Sequence, residues 1–165
     1  DAPELAPVHP HFVRLVARAA NVEGVGEITL RQLVRQSLRM RPDRIVLGEV
    51  RGAEVVDLLT ALNTGHDGGA GTVHANSPAE VPARMEALAA LGGLDRTALH
   101  SQLAAAIQVV FHMCRTRGGA RRLTEIGLIG TAGEAVQVLP VWHVERGFEP
   151  GAEALRRLLD ERLPR

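Results

Sequence analysis

Ile45, Val46 and Leu47 form an unbroken apolar run between two segments of helical periodicity, and this arrangement restricts the fold more than any other feature. A strand apolar at consecutive positions suits a sheet covered on both faces, as parallel sheets are. Upstream, Leu30, Leu33, Val34 and Leu38 recur at helical spacing behind the capping-box pair Thr29 and Gln32. That helix stops at Arg41-Pro42-Asp43, because the residue before proline is pushed out of the helical region. Downstream, Val55, Leu58, Leu59 and Leu62 predict a helix over about 53–62, and a glycine-rich crossing, HDGGAG, leads into a short strand, GTVHA. Ser77-Pro78-Ala79-Glu80 opens another helix, with Ser77 as cap and Glu80 in box position; Pro82, lacking a backbone donor, predicts a distorted first turn. A further helix is expected from Leu94 to about Ile107, then three short strands in QVVFHMCR, RRLTEIGLIG and EAVQVLPVW, then an amphipathic helix in AEALRRLLDERL. Helices alternating with strands in the first half argue for an α/β fold with a parallel sheet; the later strands suit an antiparallel edge or flap.

Composition removes several function classes. At 165 residues the chain is expected to form one domain. Nineteen acids balance nineteen bases, so no net field draws nucleic acid or anionic lipid. All the cations are arginine: with no lysine, neither Schiff-base catalysis nor the Lys of a GxxxxGK[ST] phosphate loop is available. Three Phe, one Trp and no Tyr argue against a base-stacking platform. Arg31, Arg35 and Arg39 share a helix face and read as a solvated stripe or subunit contact, so direct nucleic-acid binding is not expected. Cys114, the single cysteine, reads as a buried, inert thiol and fits a reducing compartment. No run approaches the roughly 18 apolar residues of a membrane span. The first residue is Asp rather than Met, so the chain is expected to be processed or cut from something longer.

Residues able to do chemistry cluster at strand ends and adjoining loops, where open α/β sheets keep their sites. They are Asp1 and Glu4 in DAPEL, Glu49 with Arg51 in IVLGEVRG, and His66, Asp67 and His74 in GHDGGAGTVHANS. A carboxylate directly after a buried strand is preorganised to hold a metal-bound water or take a proton from an attacking one; an isolated acid there reads as a solvated loop acid, but one between Gly48 and Arg51 points to function. His66 and His74, eight positions apart, can face one cleft and contact phosphate oxygens or a metal, or His66 can merely bond its own turn. His9, His11, His100, His112 and His143 have no companions that suggest a site. A metal-dependent hydrolase built from His66, Asp67, His74 and Glu49 is an alternative, although the spacing matches no HExxH-type pattern.

From Thr29 to Leu88, with DAPEL before it, the sequence resembles the secretion-superfamily ATPases, most closely the tight-adherence pilus (CpaF/TadA) and conjugal-transfer branch. RIVLGEVRG is similar to that family's atypical Walker B strand, GHDGGAGTVHANS to its His box and DAPEL to the tail of its Asp box. The resemblance covers residues 1 to about 145. It implies a RecA-like P-loop NTPase fold in its C-terminal portion, without the Walker A strand-loop-helix. The α/β core would occupy about 1–107, with a β-rich edge and C-terminal helix over about 108–165. It further implies ATP and Mg²⁺ as cofactors, a hexameric ring, inner-membrane platform proteins as partners, and a place at the cytoplasmic face of the membrane. Residue by residue, Glu49 would act as general base or water-orienting acid, braced by Arg51. Glu4 and Asp1 would be Asp-box carboxylates, with Glu4 and Glu49 reaching Mg²⁺ through water. His74 would sense the γ-phosphate, with His66 and Thr72 supporting the same loop. No GxxxxGK[ST] occurs, so the chain alone is expected neither to bind ATP tightly nor to hydrolyse it, and to be unstable in isolation. A Walker-A-less ring subunit that lends residues to active neighbours is the other reading.

Overall fold

The computed structural model describes Leu5 and residues 7–162; Asp1 and Glu4 lie outside the described residues. Two compact units divide the chain: one runs to His74 and takes in Ala87–Asp95, the other joins Ala75–Glu86 to Arg96 and beyond.

The first unit begins with an irregular stretch, then α1 (Leu30–Leu38), β1 (Val46–Val50), α2 (Glu54–Leu62) and β2 (Ala70–Val73). α1 starts where the sequence puts it: the Thr29 side chain accepts from the Gln32 amide while Gln32 reaches back to the Thr29 amide. β1 and β2 pair in parallel, Val46 opposite Ala70, Leu47 opposite Gly71 and Val50 opposite Val73. Gly69 permits this approach, since a Cβ there would sit 2.6 Å from both the Ile45 carbonyl oxygen and Leu62 Cδ2. Leu47, Val50, Val55, Leu58 and Leu59 form the core. β1 is not covered on both faces, however. Val46 is 54% exposed, whereas Leu47 and Val50 are buried.

Two arginines of the α1 stripe are paired within the chain, while Arg39 is exposed. Arg31 and Arg35 each place Nε 2.6 Å from an oxygen of Asp57 on α2, clasping the two helices. Burial tends to raise the Asp57 pKa, but the paired arginines outweigh it and hold the carboxyl below its ordinary value of 3.8.

In the second unit, β3 (Val109–Arg115), β4 (Arg121–Ala132), β5 (Ala135–His143) and the short β6 (Gly147–Phe148) form an antiparallel meander in that order. β6 escapes sequence reading because two residues carry no periodicity. α3 (Val81–Leu91) begins in this unit and ends in the other; α4 (Arg96–Ala106) and α5 (Ala152–Arg162) belong here. The opening of α3 is distorted as expected: Pro78–Glu80 form a 3₁₀ turn, and the α-helix starts at Val81, leaving Pro82 in the first turn where its missing donor costs no bond. Ser77 does not cap it; Asn76 Nδ2 instead donates to Glu80 Oε2 at 2.8 Å. Cys114 is half-buried rather than buried, and Thr124 Oγ1 donates to its sulfur at 3.3 Å. His100, which has no sequence companions, is 4% exposed and tied on both sides: Nδ1 accepts the Val136 amide at 2.8 Å and Nε2 lies 2.7 Å from Glu86 Oε1.

Candidate functional site

Glu49 lies inside β1, one residue before its end, and the parallel register brings His74 to it. Because Val50 pairs with Val73, the residue after β2 arrives beside the carboxylate. Arg51 follows β1 directly and folds back onto the same group. Glu49 Oε1 is 2.5 Å from Arg51 Nε and 2.8 Å from His74 Nε2. Three candidates separated by up to 25 positions thus share one oxygen (74 − 49 = 25).

The Glu49 side chain is 15% exposed, whereas Arg51 is 65% and His74 82% exposed. The carboxylate is therefore held at the sheet while both cations stand largely in solvent. Oε1 is closed to solvent, and neither contact is aligned as a hydrogen bond, so these are ion pairs that leave the oxygen's lone pairs unsatisfied. The Arg51 guanidinium holds the Glu49 carboxyl below its ordinary value of 4.5; burial opposes this, and His74 adds to it. Glu49 is thus ionised at neutral pH.

The neighbours are placed differently. Thr72 Oγ1 donates to the Gly48 carbonyl at 2.5 Å, so its hydroxyl holds β2 to β1 one residue before Glu49. His66 is not brought to Glu49: its Nδ1 lies 3.3 Å from the Ala61 carbonyl oxygen at the end of α2, a contact it makes only as a donor. Among the described residues no group of three or more His, Cys, Asp or Glu side chains is placed to hold a metal, which removes the hydrolase site of His66, Asp67, His74 and Glu49. Beside Glu49 a cleft of about 270 Å³ is lined by Glu27, Thr29, Leu30, Arg51 and Glu54. A larger hollow of about 420 Å³ in the second unit, among Ile107, Leu128 and Leu158, carries none of the candidate residues.

Sequence reading missed Glu54. It sits in the first turn of α2, is 8% exposed, and Oε1 accepts the amides of both Arg51 (2.6 Å) and Gly52 (2.8 Å). An acid two residues past a glycine, at a helix start that directly follows a strand, was the available signal.

A family described as Type II/IV secretion system protein matches residues 1–137. A protein named as a conjugal transfer protein of Mycobacterium tuberculosis is 71% identical over 98% of this chain and 46% of its own length. The VirB11 protein of Agrobacterium fabrum is 34% identical over 80% of the chain and 39% of its own length. The crystal structure of the VirB11 ATPase from the Brucella suis type IV secretion system, in complex with sulphate, superposes with a TM-score of 0.56 and 28% identity, covering 60% of this chain and 31% of that one. The chain thus spans less than half the length of these relatives. Its Glu49-bearing strand and His74-bearing loop fall within the matched stretch, and the chain belongs to the Type II/IV secretion system protein family.

Proposed function

We propose that this chain is the water-activating part of a RecA-like nucleotide-binding domain, in a motor that hydrolyses ATP to drive type II/IV secretion, conjugal transfer or pilus assembly. One observation carries the reading: the Glu49 oxygen, closed to solvent, contacted by two cations and hydrogen-bonded by neither. Such an oxygen fits a group still lacking its partner, and water bound to a hard cation is a donor of the right kind. Glu49, with Glu4 as a second carboxylate, would hold Mg²⁺ through water; the ion would neutralise charge on the transferring phosphoryl group.

The chain's own residues supply the rest. Glu49 orients the attacking water and accepts its proton, staying ionised to do so because Arg51 and His74 stabilise its charge. His74 and Arg51, exposed on their outer sides, can turn from Glu49 toward an arriving anion, His74 as the γ-phosphate sensor. Thr72 keeps the two strands in register, His66 closes the helix before the His-box loop, and Asp1 and Glu4 would be the Asp-box carboxylates. The sulphate in the Brucella suis VirB11 ATPase, a phosphate-like anion, agrees with a phosphate site in a relative of this fold. The triphosphate cradle would come from outside these residues, since no lysine and no GxxxxGK[ST] occur among them. A homo-hexamer, inner-membrane platform proteins and a station at the cytoplasmic face of the membrane complete the proposal.

The test is ATP turnover by the full reading frame that encodes this chain, beside Glu49→Gln. Loss of a general base predicts a fall in turnover of about 10²-fold or more with nucleotide binding retained. Undiminished turnover removes Glu49 from the chemistry.

A further inference from the structure

We propose that the tip of the β3–β4 hairpin is a phosphate-binding site, with Arg115 and Arg121 gripping one phosphate group between them. β5 accompanies β4 only as far as Thr124, whose carbonyl accepts the Val144 amide at 2.9 Å, so Arg121, Arg122 and Leu123 are paired with β3 alone. The turn joining the two strands is closed by two backbone bonds, from the Thr116 amide to the Ala120 carbonyl at 2.8 Å and from the Gly119 amide to the Thr116 carbonyl at 2.9 Å. It sets Arg115 directly opposite Arg121. Opposite residues share a face of the sheet, and since Thr116 takes the bonded position the arginines take the non-bonded one, where side chains come closest. Arg122 stands opposite Cys114 on the reverse face and Arg117 lies in the turn; all four arginines are exposed. Among the described residues none of their guanidinium groups has an ion-pair or hydrogen-bond partner, and no Asp or Glu occurs from Met113 to Thr124. Like charges directly opposite weaken a strand pair, and no carboxylate in the hairpin offsets the repulsion. An anion between the two arginines does. One guanidinium fork saturates the two oxygens of a carboxylate, whereas a phosphate group offers oxygens to two forks at once. A free polyphosphate and the headgroup of an anionic lipid carry the same phosphate chemistry. Met113 (54% exposed) and Phe111 (63%) continue the arginine face, a surface that acyl chains alone of the two would meet.

The test reads binding rather than ATP turnover, so this site and the Glu49 chemistry can fail separately. One arm takes a free phosphate: in the chain as given, inorganic pyrophosphate is expected to shift the Arg115 and Arg121 Nε–H signals in NMR and to saturate in about the millimolar range. The other takes a lipid headgroup: the full reading frame is sedimented with vesicles of phosphatidylglycerol, and of phosphatidylcholine as the neutral reference. Saturable binding in either arm that falls about tenfold or more in Arg115→Ala and in Arg121→Ala supports the site and identifies its source. Arg121→Lys keeps the charge but loses the fork, and is expected to weaken binding about threefold or more. Arg156→Ala, which removes an arginine paired with Glu153 on α5, is expected to leave binding unchanged. Because neither hairpin guanidinium bonds to the protein, both alanine variants are expected to keep the parent's thermal midpoint without ligand, which separates loss of the site from loss of the fold. No saturable binding in either arm, binding unchanged in both alanine variants, or a lysine variant equal to the parent each overturns the proposal.

Discussion

Replacing Asp57 by alanine is expected to loosen α1, because the arginine clasp is one of few contacts that hold that helix. Val34 is the only residue of α1 that is fully buried. Arg35 is 61% exposed, so its contact is worth the roughly 0.2–1 kcal/mol of an open pair. Arg31 is 36% exposed against an Asp57 only 10% exposed, and contributes about 1 kcal/mol after the same discount for screening. Together they amount to roughly 1–2 kcal/mol, a factor of about 5–30 in a local equilibrium. Amide exchange of Val34 and its neighbours, at neutral pH and corrected for intrinsic rates, is expected to accelerate by that factor in Asp57→Ala. The clasp depends on pH in a fixed direction. The folded carboxyl titrates below its ordinary 3.8, so its stabilisation is present above that value and lost as pH falls through the depressed one. The gap between parent and variant therefore closes in acid. Unchanged protection at neutral pH, or a gap that persists in strong acid, would refute the reasoning.

Leu59→Ala removes a side chain that is fully buried in the first unit and is expected to cost about 2–5 kcal/mol, read as a lowered urea midpoint. Gly69→Ala forces a Cβ to within 2.6 Å of the Ile45 carbonyl oxygen and is expected to destabilise the β1–β2 pair by about 1–3 kcal/mol, seen as faster exchange of the Ala70 amide. His100→Ala leaves the buried Val136 amide without its acceptor and is expected to cost about 1–3 kcal/mol in denaturant titration, while an unshifted midpoint would mean that water replaces the ring. Since Arg51 holds Glu49 below its ordinary 4.5, the acid limb of ATP turnover by the full reading frame is expected below that value, and Arg51→Ala is expected to move it upward; a limb that stays put detaches Arg51 from Glu49.

Much of this molecule was legible in its local patterns. The Thr29–Gln32 capping box, the spacing of Val55, Leu58, Leu59 and Leu62, and the three longer antiparallel strands depend on contacts a few residues apart, which a linear reading captures. Ser77 shows where that reading stops: the sequence offered a good cap, yet the backbone took a 3₁₀ turn and Asn76 made the side-chain bond instead. Glu49, Arg51 and His74 were identifiable as chemistry-bearing residues, but which of the histidines would reach Glu49 was not. The parallel register of Val50 with Val73 delivers His74, while the closing turn of α2 keeps His66 for Ala61. The sequence by itself determined the alternation of elements, the absence of any lysine for a phosphate loop, and the family. Tertiary structure alone decided that Arg31 and Arg35 meet Asp57, that His100 is buried between Glu86 and Val136, and that Glu54 accepts the amides of the turn after β1. Those pairings follow from where helices and strands come to rest against one another, and most join residues far apart in the chain, so no local periodicity encodes them.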